Sequence, residues 1–197
     1  MAEGRATFYF DVNSPYAYLA AMRIGELIPD AVWRPIALAM LFREIGKVPW
    51  SLKPGREENM GDCERRAAER GLPPMTWPDG WPAETWSFTP LRAAIVAEEH
   101  GRLVPFSLEC YRLIFAERRT LADLDNTLAA ASAAGLDPDE VRERIEERAV
   151  KDRLREYTDE AVGLGAVGVP TVAVGGELFW GDDRLEEAAA AAREAAA

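Results

Sequence analysis

Strand-like text occupies only the two ends of this chain, and that spacing restricts the fold more than any other feature. "ATFYFDV" at 6–12 and "AVWRPIAL" at 31–38 are apolar, aromatic and β-branched, and read as buried strands. Between them lies "PYAYLAAMRIGEL", with apolar residues at Ala17, Leu19, Ala20, Ile24 and Leu27. Asn13 or Ser14 can cap this helix, Pro15 suits its first position, and Pro29 stops it. Strand, helix and strand in this order favour parallel pairing with a right-handed crossover. Strand text returns only at "VPTVAV" and "GELFWG", joined by "GG", a good two-residue hairpin turn. The chain then ends in "DDRLEEAAAAAREAAA", a helix with acids in its first turn.

Everything between reads as helix or as irregular chain. Prolines and tryptophans cluster in "KVPWSLKPG" and "LPPMTWPDGWPAETWSFTP", and "ENMGDCERRAAERGL" between them predicts a short helix ended by Gly71. Helices are expected over 89–100, 104–117, 120–134, 138–148 and 150–164, punctuated by Gly101, Gly135 and Pro138. The expected fold class is therefore α/β, a small sheet split by an all-helical insertion. The division is 1–39 with 163–197 for the sheet domain and 40–162 for the insertion. A chain of 197 residues suffices for one large domain, or a small one carrying an insertion.

Charge and composition exclude some functions. A net charge of −11 disfavours a nucleic-acid surface, which needs a basic stripe. No run of about 18 apolar residues suggests a membrane span, and the N-terminal text lacks a signal-peptide pattern, so a cytoplasmic protein is expected. Cys63 and Cys110 form neither a CxxC nor a metal pattern, and no metal site is expected. The single histidine, His100, falls at a helix end, so a Ser-His-Asp triad is hard to assemble.

Three stretches carry candidate chemistry, each with a plainer alternative. Ser14 opens a helix, whose N-terminus offers unpaired N–H groups and a positive dipole end. There it either caps the helix or donates a hydrogen bond to a thiolate. Pro170 in "GVPT" enters a strand, either at a sheet edge or through a cis peptide bond. In the cis case, the backbone of Val169 is free to pair with an extended, peptide-like ligand. Asp182 and Asp183 either cap the last helix or accept from a ligand ammonium group. Trp50, Trp77, Trp81 and Trp86 either line an aromatic-substrate cleft or pin irregular loops to the helices, Trp50 and Trp77 being the better cleft candidates. Phe10, Tyr16 and Trp180 flank the same region from the sheet side.

Together "FYFDVNSPYAYLA", "GAVGVPT" and "LFWGDDRL" resemble the 2-hydroxychromene-2-carboxylate isomerases. These group with the kappa-class glutathione transferases and the DsbA-like thioredoxin proteins. The resemblance implies a thioredoxin-like fold interrupted by helices, and an intramolecular isomerase of aromatic degradation. It implies that "SPYA" is a Cys-Pro-Tyr-Cys site with both sulfurs gone: Ser14 replaces the first and Ala17 the second. Without a thiolate nucleophile, dithiol–disulfide exchange is disfavoured. The sulfur would instead come from glutathione or another low-molecular-weight thiol. Ser14 would hold that thiolate, Val169 with cis Pro170 its cysteinyl part, and Asp182 and Asp183 its γ-glutamyl end. The implied reaction is thiolate addition, ring opening, bond rotation and elimination. The resemblance further implies a small-molecule aromatic substrate and a homodimer.

The chain departs from the family pattern in its middle. Lys47 stands where an Asn precedes a proline, and Glu58 at a tyrosine position. Asp62 and Arg65 fit the family's Asp-x-x-Arg pair, with Arg56 for the basic residue ahead of it. Two other functions fit the same text: a kappa-like transferase, and a non-catalytic thiol- or peptide-binding module.

Overall fold

The computed structural model describes residues 5–196. Strand β1 (Thr7–Phe10) leads through helix α1 (Pro15–Leu27) to β2 (Val32–Pro35), which pairs parallel to β1 with Thr7 opposite Val32. Seven α-helices follow among the described residues: α2 (Leu38–Glu44), α3 (Arg56–Glu69), α4 (Phe88–Glu99), α5 (Leu103–Phe115), α6 (Leu124–Ala133), α7 (Pro138–Arg144) and α8 (Arg148–Gly163). The chain then returns through β3 (Thr171–Val174) and β4 (Glu177–Trp180), and closes with α9 (Leu185–Ala195). The sheet order is β2-β1-β3-β4, with β3 antiparallel to both β1 and β4.

Local chemistry accounts for most of these bounds. Ser14 is extended and its side chain accepts from the Ala17 N–H, so α1 starts at Pro15 as the sequence predicts. Gly175 and Gly176 both take positive φ, +57° and +91°, the combination that lets a two-residue turn match the twist of a hairpin. Helix α6 starts later than expected, because Asp123 accepts from the Asp125 N–H and caps it there. Helix α2 was not expected: the strand text running to Leu38 ends at Pro35, and the Leu38 N–H is taken by the Asp11 carboxylate. Nor do the acids at 182 and 183 cap the last helix; they form a 3-10 turn, Asp182–Arg184, ahead of α9.

One continuous apolar core runs from the sheet into the helices. Trp33 meets Phe8 and Phe10 edge-on at 4.9 and 5.3 Å, and Phe10 reaches Tyr111 of α5 at 6.5 Å. Tyr18 of α1 stacks on Phe115 of α5 at 5.4 Å. Each such aromatic contributes about 1.5–3 kcal/mol by leaving water. We propose the 1–39, 40–162, 163–197 division as one of chain order only, since the core is shared and both boundaries fall inside helices α2 and α8. Among the described residues no helix is long and apolar enough to cross a membrane.

Candidate active site

Two fragile-looking junctions of the sheet, β1 to α1 and the segment before β3, end side by side and floor a cleft of about 490 Å³. The opposite wall comes from α2, residues 49–52, α3 and the loop 81–87. This size suits a small molecule.

Ser14 stands at the floor, only 6% exposed. Its backbone N–H donates to the Asp11 carbonyl at 3.0 Å, and its Oγ accepts from the Ala17 N–H at 3.3 Å. The hydroxyl hydrogen is not used by either contact, so capping the helix and donating into the cleft are compatible. Val169–Pro170 is a cis peptide bond, the second of the two alternatives for Pro170. The Pro170 carbonyl accepts from the Gly181 N–H at 3.0 Å, and Thr171 Oγ1 donates to the Gly168 carbonyl at 2.8 Å. Val169, between them, has no backbone partner among the described residues and lines the cleft.

Asp11 ties the walls to this floor. It is buried, accepts from Asn13 N–H at 2.9 Å, and accepts from Leu38 N–H and Ser87 Oγ at 3.0 Å each. Burial raises its pKa against these three bonds, which favour the carboxylate. Asn13 donates to the Thr85 carbonyl at 2.6 Å and to its hydroxyl at 3.0 Å, holding the 81–87 loop over the site.

The helical wall is aromatic and charged. Tyr16 meets Trp50 edge-on at 5.9 Å, and Trp50 meets Trp81 at 5.7 Å. The Tyr16 hydroxyl donates to Asp62 at 3.2 Å; its pKa is raised, chiefly by burial, then by Cys63 and Asp62. Asp182, 1% exposed, lies between Arg66 at 2.9 Å and Arg70 at 2.6 Å. Leu52, Trp86 and Trp180 form an exposed apolar rim, each more than half open to solvent. Both cysteines are buried; desolvation pushes the Cys63 thiol up to about 12 and raises Cys110 well above its ordinary value, so neither is a thiolate at neutral pH.

Residues 6–193 match the model of the DSBA-like thioredoxin domain. The chain belongs to this family. It is 27% identical over 186 residues to a 2-hydroxychromene-2-carboxylate isomerase of Sphingobium xenophagum, covering 91% of this chain and 93% of that protein. It is 26% identical to glutathione S-transferase kappa 1 of Homo sapiens, covering 90% and 86%. A solved 2-hydroxychromene-2-carboxylate isomerase superposes with a TM-score of 0.83 at 25% identity, covering 96% of this chain and 94% of that one. The split α/β arrangement is thus a DsbA-like thioredoxin fold, as the sequence resemblance implied.

In this DSBA-like chain the fold brings together Ser14, Tyr16, Trp50, Val169, Pro170, Trp180, Asp182 and Asp183 around one cleft. Three residues expected there lie elsewhere. Phe10 is wholly buried, because β1 is covered on both faces and its ring packs into the core. Trp77 sits behind Trp81, 4.7 Å away and against Phe115, with its indole N–H donating to Glu64. Arg56 donates to the Trp81 carbonyl at 3.1 Å and pins that loop instead of facing the cleft. Asp182 reaches the cleft but with both oxygens already engaged by arginine. Glu58 points to solvent, while Lys47 lies 6.0 Å over the Trp180 ring at the mouth. The Asp62–Arg65 pair forms at 2.5 Å, but Arg65 faces outward to Glu69. Sequence reasoning missed Asp11, Arg66 and Asn59, all of which line the cleft. Arg66 could have been found from its position one helical turn after Asp62.

Proposed function

We propose that the protein is a thiol-dependent isomerase acting on 2-hydroxychromene-2-carboxylate or a similar aromatic-degradation intermediate. The observation that carries this reading is Ser14: a sulfur-free helix N-terminus, facing a cleft, beside the unpaired backbone of Val169 before cis Pro170. The donor set fits glutathione or a similar thiol. The Val169 backbone offers one N–H and one C=O to an extended cysteinyl unit, and Asp183 offers an exposed carboxylate to an ammonium group.

When bound, the thiol supplies a nucleophile whose addition and later elimination permit ring opening and rotation with no net redox change. The protein's own residues do the rest. Ser14 donates to the sulfur, and the α1 N-terminus favours its anionic form. Such a charged hydrogen bond contributes about 1.5–3 kcal/mol. Tyr16, Trp50 and Trp180 hold the aromatic ring near the sulfur, which supplies proximity. The aromatic rim and the two loop ties through Asp11 and Asn13 limit water.

Isomerisation of 2-hydroxychromene-2-carboxylate with added glutathione tests the reading. Ser14→Ala is expected to lower turnover by roughly 10²-fold; a variant as fast as the wild type refutes the role of Ser14. A screen of low-molecular-weight thiols by thermal shift identifies the cofactor, since ligand at 100 times its Kd stabilises by about 2.7 kcal/mol. The similarity to the human kappa transferase supports a second reading, thiol conjugation to electrophiles. Aromatic halides compared with hydroxychromene carboxylates separate the two. A homodimer in the cytoplasm belongs to the same proposal, and light scattering of the purified protein checks the assembly.

A further inference from the structure

Arg66 is the one cationic side chain lining the cleft among the described residues. Two carboxylates flank its guanidinium. Nη1 donates to the buried Asp182 at 2.9 Å, and Nε lies 2.8 Å from Asp62 as an ion pair without hydrogen-bond geometry. Asp182 is anchored from the other side by Arg70 at 2.6 Å. The Tyr16 ring supports the group at 5.6 Å from its centroid. Nη2 makes no hydrogen bond to the protein and is not among the buried unpartnered atoms, which leaves its donors available on a residue that lines the cleft. An arginine held in this way presents a preorganised edge to a planar anion. The protein otherwise carries a net charge of −11, a field that repels anions, so an anionic ligand needs such a fixed cation.

We propose that Arg66 is the carboxylate-binding residue of the cleft and fixes which ligands are accepted. Asp62 and Asp182, which touch its guanidinium, act through it as positioning residues. The chemistry is shared by two sources, the carboxylate of the aromatic substrate and a carboxylate of the thiol. The inference rests on the thiol-isomerase reading for the choice of these ligands, but its test reads binding without turnover.

Calorimetry with two matched pairs tests it: 2-naphthoate against 2-naphthamide, and glutathione against its glycinamide. Wild-type protein is expected to prefer the carboxylate of at least one pair by roughly tenfold or more. Preference in the naphthoate pair assigns the site to the substrate, and preference in the glutathione pair to the thiol. Arg66→Gln should erase that preference while leaving the amide's affinity unchanged. Arg70→Gln, which also takes one partner from Asp182 but lies outside the cleft lining, should keep it. No preference in either pair with the wild type overturns the proposal, whether or not the variants fold. So does a preference that survives Arg66→Gln, or one that Arg70→Gln removes as completely. Failure of hydroxychromene turnover alone refutes the isomerase reading and leaves these binding ratios measurable.

Discussion

The two walls of the cleft are built on different principles. The sheet wall is made by backbone: a helix start at Ser14 and an unpaired peptide at Val169, each formed by residues within a few positions of one another. The helical wall is made by side chains from distant segments: Arg66 of α3, beside Asp62, meets Asp182, which follows β4 and is held from behind by Arg70, just past the end of α3. One wall supplies fixed dipoles and hydrogen-bond positions, which the proposed thiol would use. The other supplies charge and aromatic surface, which select what approaches it. The difference teaches that the backbone-built half, where the proposed thiol would sit, tolerates changes in side chains away from it, while the other half depends on an interlocked ion network.

The sharpest way to break this contrast is Asp182→Ala. It leaves Arg66 and Arg70 without their buried partner, and uncompensated charges of this kind cost about 3–5 kcal/mol. Both arginines are about one-fifth to one-quarter exposed, so solvent screening places the loss near 3 kcal/mol, read as a fall in Tm. Ser14→Ala should lose far less stability, about 1 kcal/mol for the cap, while its roughly 10²-fold effect falls on turnover. If the two variants destabilise equally, the contrast fails.

Gly168→Ala probes the seam between the walls. A Cβ there would lie 2.7 Å from Trp180 Nε1, so the indole must move. Trp180 is exposed and can swing, so the expected loss is at the low end of overpacking, about 1 kcal/mol. A change in KM for the aromatic substrate larger than that for the thiol would place Trp180 on the selective side.

The smallest effect is a pair of opposite pH responses. Asp11, on the sheet side, has its folded pKa raised by burial, so its stabilising contribution is present below the ordinary carboxylate value and is lost as pH rises through the folded one. Asp62, on the helical side, is raised by desolvation but lowered further by Arg65, Arg66 and Tyr16, to a net depressed value. Its contribution is present above the ordinary value of about 3.9 and is lost as pH falls through the folded one. Asp62→Asn should therefore flatten the loss of Tm in acid, and Asp11→Asn should steepen it. Matching slopes for the two variants would contradict these assignments.

Legibility in the sequence followed the same boundary. "ATFYFDVNSPYAYLA" and "VPTVAVGGELFWG" are read by capping, turn and alternation rules that act over a few residues, so β1, α1, β3, β4 and the cis-proline alternative were all visible there. The strand text at 31–38 hid the start of α2, because the Leu38 N–H is taken by Asp11, 27 residues earlier. Phe10, Trp77 and Arg56 carry the right side chains for a cleft, yet packing turned them elsewhere.

By itself the sequence determined the order of elements, the sulfur-free helix start and the proline segment beside it, because each depends on local backbone preferences. Only the tertiary structure decided that Arg66, not Arg56 or Arg65, faces the cleft and that Asp182 is spent in holding it. Arg66 and Asp182 stand 116 residues apart, and no local rule of period or capping reaches across that separation.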